Sequence, residues 1–214
     1  MKYELIELEE NHEFYGTGVN YQIKALKDFG NVKKGDLGGY VNNEHNLSQI
    51  GNCWIYDNAT MFDNARMRDY ARMFDDAIMR GNSTMYDNST MYDDAAMFDN
   101  TRMLDNTIML DNARMLDNAR MYGNARMYGN SVLSIELLNG YLFGDIELHC
   151  QEDIKTISHI GRDNSILTLV RYKEVIYASR GCFQGTLDEL IEKATKEDNK
   201  HYLHIKEISN LLFK

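Results

Sequence analysis

The chain has 214 residues, 23 of them basic and 33 acidic, for a formal net charge of −10. That balance argues against general binding to DNA or RNA, which calls for a basic surface. Hydrophobic residues make up 43%, enough to build a core, which excludes a wholly disordered chain.

The start, Met1–Glu7, is charged and alternating and carries no apolar segment of signal-peptide type. No stretch reaches the ~18 apolar residues of a membrane helix, so no membrane association is expected. Cys53, Cys150 and Cys182 are odd in number and far apart. A reducing compartment fits them better than a disulfide framework, so a cytoplasmic location is expected.

Residues 1–50 read as an N-terminal β cap. A short strand is expected over 3–8 and another over 19–26, followed by the Gly-rich run Lys33–Val41. A cap is needed because an open coil exposes unpaired strand edges. Leu47 lies six before Cys53, so the repeat begins to form within this block.

From Cys53 to Leu133 the sequence repeats every six residues without a slip: CWIYDN, ATMFDN, ARMRDY, ARMFDD and so on. Twelve consecutive hexads carry Met at the same place, from Met61 to Met127, and with Met1 they are all 13 methionines. Two residues earlier sits a small side chain, Ala, Ser, Thr or Cys53. An α-helix would turn each successive Met by about 240° and scatter them. In a strand, residues two apart share a face, so the small residue and the Met both point inward. Asp-Asn and Gly-Asn then form corners, with Asn and Gly expected to take the left-handed backbone. Three sides of about six residues close a triangular coil, and residues 18 apart stack. The tract itself makes between four and five coils, and Ser134–Leu148 reads as one further imperfect coil. The methionines are read as core rather than as a metal site.

Outward positions form ladders. One is apolar throughout: Tyr56, Phe74, Tyr92, Leu110 and Tyr128. The others mix Arg with aromatic and aliphatic residues: Phe62, Arg80, Phe98, Leu116 and Arg68, Tyr86, Leu104, Tyr122. Long exposed apolar ladders mark contact surfaces, and Tyr and Arg favour interface centres. The first ladder is therefore a candidate oligomer or partner interface.

Residues 151–214 read as a small α+β domain. Strands are expected at 157–160, 165–172 and 174–179. Gly181–Gly185 is expected to turn into a helix N-terminus. Thr186-Leu-Asp-Glu189 has the form of a capping box, with a helix to about Lys196. A second helix is expected over 199–212 with Tyr202, Ile205, Ile208 and Leu212 on one face. A Gly-rich turn at a helix start beside arginines is an anion-site pattern. The candidate ligand site is Arg162, Arg171, Arg180, Gly181, Gly185, Thr186 and Tyr202, suited to a nucleotide-like molecule. Cys182 is expected to be buried. No cofactor or metal is expected.

The hexad tract resembles hexapeptide-repeat proteins strongly. The resemblance implies a mainly β fold, a left-handed parallel β-helix over 51–150 between the cap and the C-terminal domain. It also implies packing as trimers. Many such proteins are acyltransferases and some are zinc enzymes, and both use histidine. The hexads hold none, since His12, His45, His149, His159, His201 and His204 all fall outside. No catalysis is therefore expected. Lys34–Tyr40, Asn46–Ser48, Gly51–Ala59 and Gly181–Leu187 also resemble uncharacterised hexapeptide-repeat proteins of phages and prophages. That resemblance implies a non-catalytic binding protein that counters host defence, by sequestering a signalling nucleotide or by blocking a host protein through the aromatic ladder. A hexapeptide-type acyltransferase and a structural protein are the alternatives.

Overall fold

The computed structural model describes residues 1–8, 19–160, 165–197, 199, 202 and 204–213. It is mainly β, and its centre is a parallel β-solenoid. Each hexad contributes a two- or three-residue strand to one of three sheets. Strands 18 apart pair in register, as Thr90 does with Arg72 below and Ile108 above. The three sheets are nine-, six- and five-stranded. We call them faces A, C and B. Face A includes Thr60–Met61, face B Arg66–Met67 and face C Arg72–Met73.

The stack is about six turns tall, more than the hexad tract alone supplies. Leu37–Val41 joins face A below Thr60–Met61, and Leu47 bridges to Met67 on face B. At the other end, Glu136–Leu138, Tyr141–Leu142 and Glu147–Leu148 add the expected imperfect coil. It is three residues shorter than a regular one, since Val132 pairs with Glu147.

The axis is filled by methionine opposite small residues. The twelve hexad methionines are buried, and Ala, Ser and Thr pack beside them with no solvent exposure. Burying each such side chain contributes roughly 1.5–3 kcal/mol. Met suits the place because an unbranched thioether adapts to the narrow axis.

The corners differ from expectation in one respect. Ten Asp residues, not Asn, hold the left-handed backbone, with φ from 51° at Asp57 to 61° at Asp69 and Asp117. Gly81, Gly123 and Gly129 take the same place where Asp is missing. The choice of Asp has a physical reason. Its carboxylate accepts from the backbone N–H one coil above, as Asp93 Oδ2 does from Asp111 N at 3.1 Å and Asp75 Oδ2 from Asp93 N at 3.2 Å. The following Asn side chains form an amide ladder, Asn64 to Asn82 to Asn100 to Asn118, at 3.2, 3.0 and 3.4 Å. The stacked carboxylates thus meet N–H donors, which offsets the cost of stacking like charges.

The N-terminal strands Tyr3–Glu7 and Tyr21–Ala25 pair antiparallel and extend face A. Their buried residues Tyr3, Ile23 and Ala25 belong to the same core cluster as the methionines. Trp54 closes that end under Phe29 and Tyr3, at ring-centre distances of 5.3 and 6.3 Å.

The C-terminal unit is a four-stranded antiparallel sheet, Ile154–Ile160, Ser165–Tyr172, Val175–Arg180 and Phe183–Thr186, with helices Leu187–Lys196 and Ile205–Leu212. The capping box at Thr186 and Glu189 forms as expected. The second helix buries Ile205 and Ser209, while Ile208 and Leu212 face outward. The buried face runs through Tyr202, Ile205 and Ser209, a spacing of three and four that follows the helical turn. The sheet rests on the last coil: Tyr141 N donates to Thr168 Oγ1 at 3.3 Å and Ser179 Oγ to Tyr141 O at 3.4 Å. No helix among the described residues is long and apolar enough to cross a membrane.

Candidate functional site

The candidate ligand residues of the C-terminal unit do not form one cradle. Gly181 and Cys182 sit at the tip of a β-hairpin, and the strand Phe183–Thr186 separates Gly181 from the helix, so only Gly185 adjoins the helix start. Cys182 is exposed there rather than buried. The helix start is already occupied by a carboxylate: Glu189 Oε2 accepts from Thr186 N at 2.7 Å and from Thr186 Oγ1 at 3.0 Å. A second anion would meet that charge. Arg171 is committed to Asp153 at 2.7 Å and to Phe213 O at 2.7 Å, which ties the C-terminal helix to the sheet. Arg180 stacks over Tyr202, 4.9 Å from the ring centre, with Tyr202 buried. Arg162 lies outside the described residues.

The apolar ladder is real over its first half. Tyr56 and Phe74 stack at 4.4 Å and 5°, and Phe74 and Tyr92 at 4.9 Å and 9°. Its far end is covered by the chain itself. Gln184 Nε2 donates to Tyr128 OH, and Phe143 lies between Tyr128 and Tyr177. Burial pushes the Tyr128 phenol up to about 12.

A well-defined concavity lies elsewhere, at the first coil. Leu47 and Ile55 occupy successive core positions, yet they are two residues further apart than a hexad allows. The extra chain bulges from face B and walls a groove of about 660 Å³. Glu44, His45, Ser48, Gln49 and Ile50 line one side, and Arg66, Arg68 and Asp69 line the other. His45 is exposed on this loop.

The loop is held firmly. Asn46 is fully buried, and its side chain accepts from Asn43 N at 3.1 Å and donates to Ala65 O at 2.9 Å. Met67 N donates to Asn46 O at 2.8 Å and Ser48 N to Met67 O at 3.0 Å, so the ladder of face B continues under the loop. Tyr3 OH donates to Leu47 O at 2.7 Å, and Gln49 Oε1 accepts from Lys2 N at 2.7 Å. Beneath these lies a buried polar pair, with Lys2 Nζ 2.9 Å from Cys53 O and 3.2 Å from Cys53 Sγ. Burial holds the Lys2 ammonium below its ordinary range and pushes the Cys53 thiol up. The backbone on either side of His45 is therefore fixed.

The groove's far wall departs from the repeat. Hexad 65–70 reads ARMRDY, with Arg68 where most hexads carry an aromatic or Leu and Tyr70 where most carry Asn. Arg68 stacks over Tyr86 at 5.2 Å. Arg66 and Arg68 give the groove two forked cations beside an imidazole. Among the described residues no cluster of three or more His, Cys, Asp or Glu could hold a metal ion.

Sequence reasoning missed this site because it searched for histidine only within the strict hexads from Cys53 to Leu133, although it placed the start of the repeat near Leu47. The signals were present: Gly39-Tyr40-Val41 already has the small-x-large form, and two positions of one hexad depart from the commonest letters, at Arg68 and Tyr70.

No family model matches the chain. It is similar to a protein of Escherichia coli (strain K12) described as the uncharacterized acetyltransferase YdcK, 43% identical over 61 residues. The match covers 26% of this chain and 19% of that protein, so the chain spans about a fifth of the relative it matches. With the solenoid, this similarity fits a hexapeptide-repeat β-helix. It also corrects the expectation that the chain is not an enzyme. The similarity is to a protein named as an acetyltransferase, and histidine, absent from the hexads, stands in the groove of the first coil.

Proposed function

We propose that the chain is an acyltransferase of the hexapeptide-repeat kind, with its site in the groove between residues 44–50 and 66–69. The observation that carries this reading is His45, exposed on a firmly anchored loop that walls the first-coil groove. The similarity to an acetyltransferase-named protein supports it. In this mechanism His45 takes the proton from an acceptor hydroxyl or amine as that atom attacks the acyl carbonyl of the donor. The leaving group departs with the electron pair of the broken acyl bond and receives a proton in turn. Arg66 and Arg68 supply positive charge for an anionic donor or acceptor.

The test is acyl transfer from a radiolabelled acetyl thioester to pooled small-molecule acceptors. Removing a general base lowers the rate roughly 10²–10⁴-fold, so His45→Ala is expected to lose activity on that scale while keeping its melting temperature. Wild-type protein that transfers no label, or a His45→Ala variant as active as wild type, would end this reading. Self-association, as a trimer, belongs to the same proposal. Its support is the half-buried Tyr56, Phe74, Tyr92 stack and Leu110 beside it. No described residue argues for the phage-linked counter-defence role that the second resemblance implies.

A further inference from the structure

On the other side of the Asp69–Tyr70 corner from the His45 groove lies a second recess, of about 250 Å³. It is lined by Asn31, Asn52, Tyr56, Tyr70, Arg72 and Asn88, with Gly30 at its edge. We infer that this recess binds a small oxyanion, a carboxylate or phosphate group, with Arg72 as its principal donor and Tyr70 as a wall.

Arg72 differs from the other solenoid arginines. Most solenoid arginines have their donors accounted for. Arg66, Arg102, Arg114 and Arg126 are exposed, so water serves them. Arg68 and Arg80 lie over the rings of Tyr86 and Phe98, and Arg120 pairs with Glu136 at 3.4 Å. Arg72 is half-buried between Trp54 and Thr90 in the register of face C. Its Nε is shut off from solvent and has no hydrogen-bond acceptor. A buried donor of a charged group left unpaired is costly, and a native structure rarely keeps one without use. Arg72 also lines the recess. Three Asn side chains line it too, which can add N–H donors to an anion, and no carboxylate is among its lining residues.

The second observation is the broken ladder. Asn52, residue 70, Asn88, Asn106 and Asn124 occupy one corner row. Asn88 donates to Asn106 at 3.2 Å, as the repeat requires. At position 70 the chain carries Tyr in place of Asn, 57% exposed. The substitution gives up the amide ladder at this level and gains a ring at the mouth of the recess. Tyr56 faces it from within. Burial raises the Tyr56 phenol, and the charge of nearby Arg72 works against that rise. A cation without an acceptor, amide donors around it and two rings beside it make a receptor for an anionic head on a small, flat or short molecule.

The test follows the Arg72 Nε–Hε resonance of the full-length protein in ¹H–¹⁵N spectra during titration with inorganic phosphate and, separately, succinate. Chloride at matched ionic strength is the control. A saturable shift with either supports the site, and the more effective anion names the head group. Tyr70→Asn, which restores the repeat and so keeps the fold, is expected to weaken binding several-fold. In calorimetry Arg72→Lys, which keeps the charge but not the fork, is expected to weaken it about tenfold or more. The proposal is overturned if neither anion moves Arg72 more than it moves exposed Arg102. It is equally overturned if the resonance moves only with protein concentration, which would assign the acceptor to a second copy of the chain. None of these readouts depends on acyl transfer, so the two proposals fail separately.

Discussion

The hexads above Cys53 and the coil below it use the same core rule for opposite ends. Above, each strand is two or three residues long, each corner is an Asp or Gly in the left-handed region, and the Asp carboxylates accept from the backbone N–H of the corner above. Nothing protrudes. Below, the core slots are kept by Val41, Leu47 and Ile55, all buried, but the chain from Leu47 to Ile55 is two residues longer than a hexad and the segment around it walls a groove. The contrast teaches that a strict repeat leaves no room for a site. On the solenoid, the concavities described above lie where the repeat is interrupted or where its exposed letters change. Both happen within one level of the stack, at His45 on the loop and at Arg68, Tyr70 and Arg72 beside it.

That contrast can be broken first in the regular tract. Met91 has no solvent exposure and sits between Met73 and Met109. Met91→Ala is expected to cost about 2–5 kcal/mol in denaturant unfolding, because a narrow axis cannot collapse onto the void. A loss below ~1 kcal/mol would mean that the methionine stack is loosely packed and that the tract is not the rigid part of the molecule.

A smaller effect is expected at a corner. Asp93→Ala loses a carboxylate acceptor for Asp111 N and keeps a non-glycine residue at φ 56°. The expected cost is roughly 1–2 kcal/mol. Asp93→Gly loses the same acceptor but relieves the backbone, so it is expected to fall closer to wild type. If both variants melt together, the left-handed backbone is not what selects the corner residue.

The smallest effect concerns where the C-terminal sheet meets the ladder. Tyr128 has its phenol raised from 10 to about 12 by burial. A raised acid binds its proton more tightly when folded, so its share of stability is present below pH 10 and is lost as pH climbs to about 12. Tyr128→Phe removes the ionisation and is expected to flatten that limb of a pH–stability curve. An unchanged slope would mean that the sheet does not shield Tyr128 in solution.

The hexad rule made most of this protein legible from its letters. A six-residue period with a small residue two before a large one has one compact solution, a three-sided coil of strands. The register, the Met axis and the stacking of Tyr56 on Phe74 on Tyr92 follow from it. The capping box at Thr186 was equally readable, because it needs only residues three apart. Tertiary packing decided the rest. That Asp rather than Asn turns the corners depends on an N–H one coil above, which no local window contains. That Arg171 is spent on Asp153 and Phe213, and that Glu189 fills the helix start, depends on partners brought together by the fold. Most of all, the sequence placed His45 outside the repeat. Its position at the groove depends on Asn46 and Tyr3 pinning an irregular loop against face B, through hydrogen bonds between residues far apart in the chain.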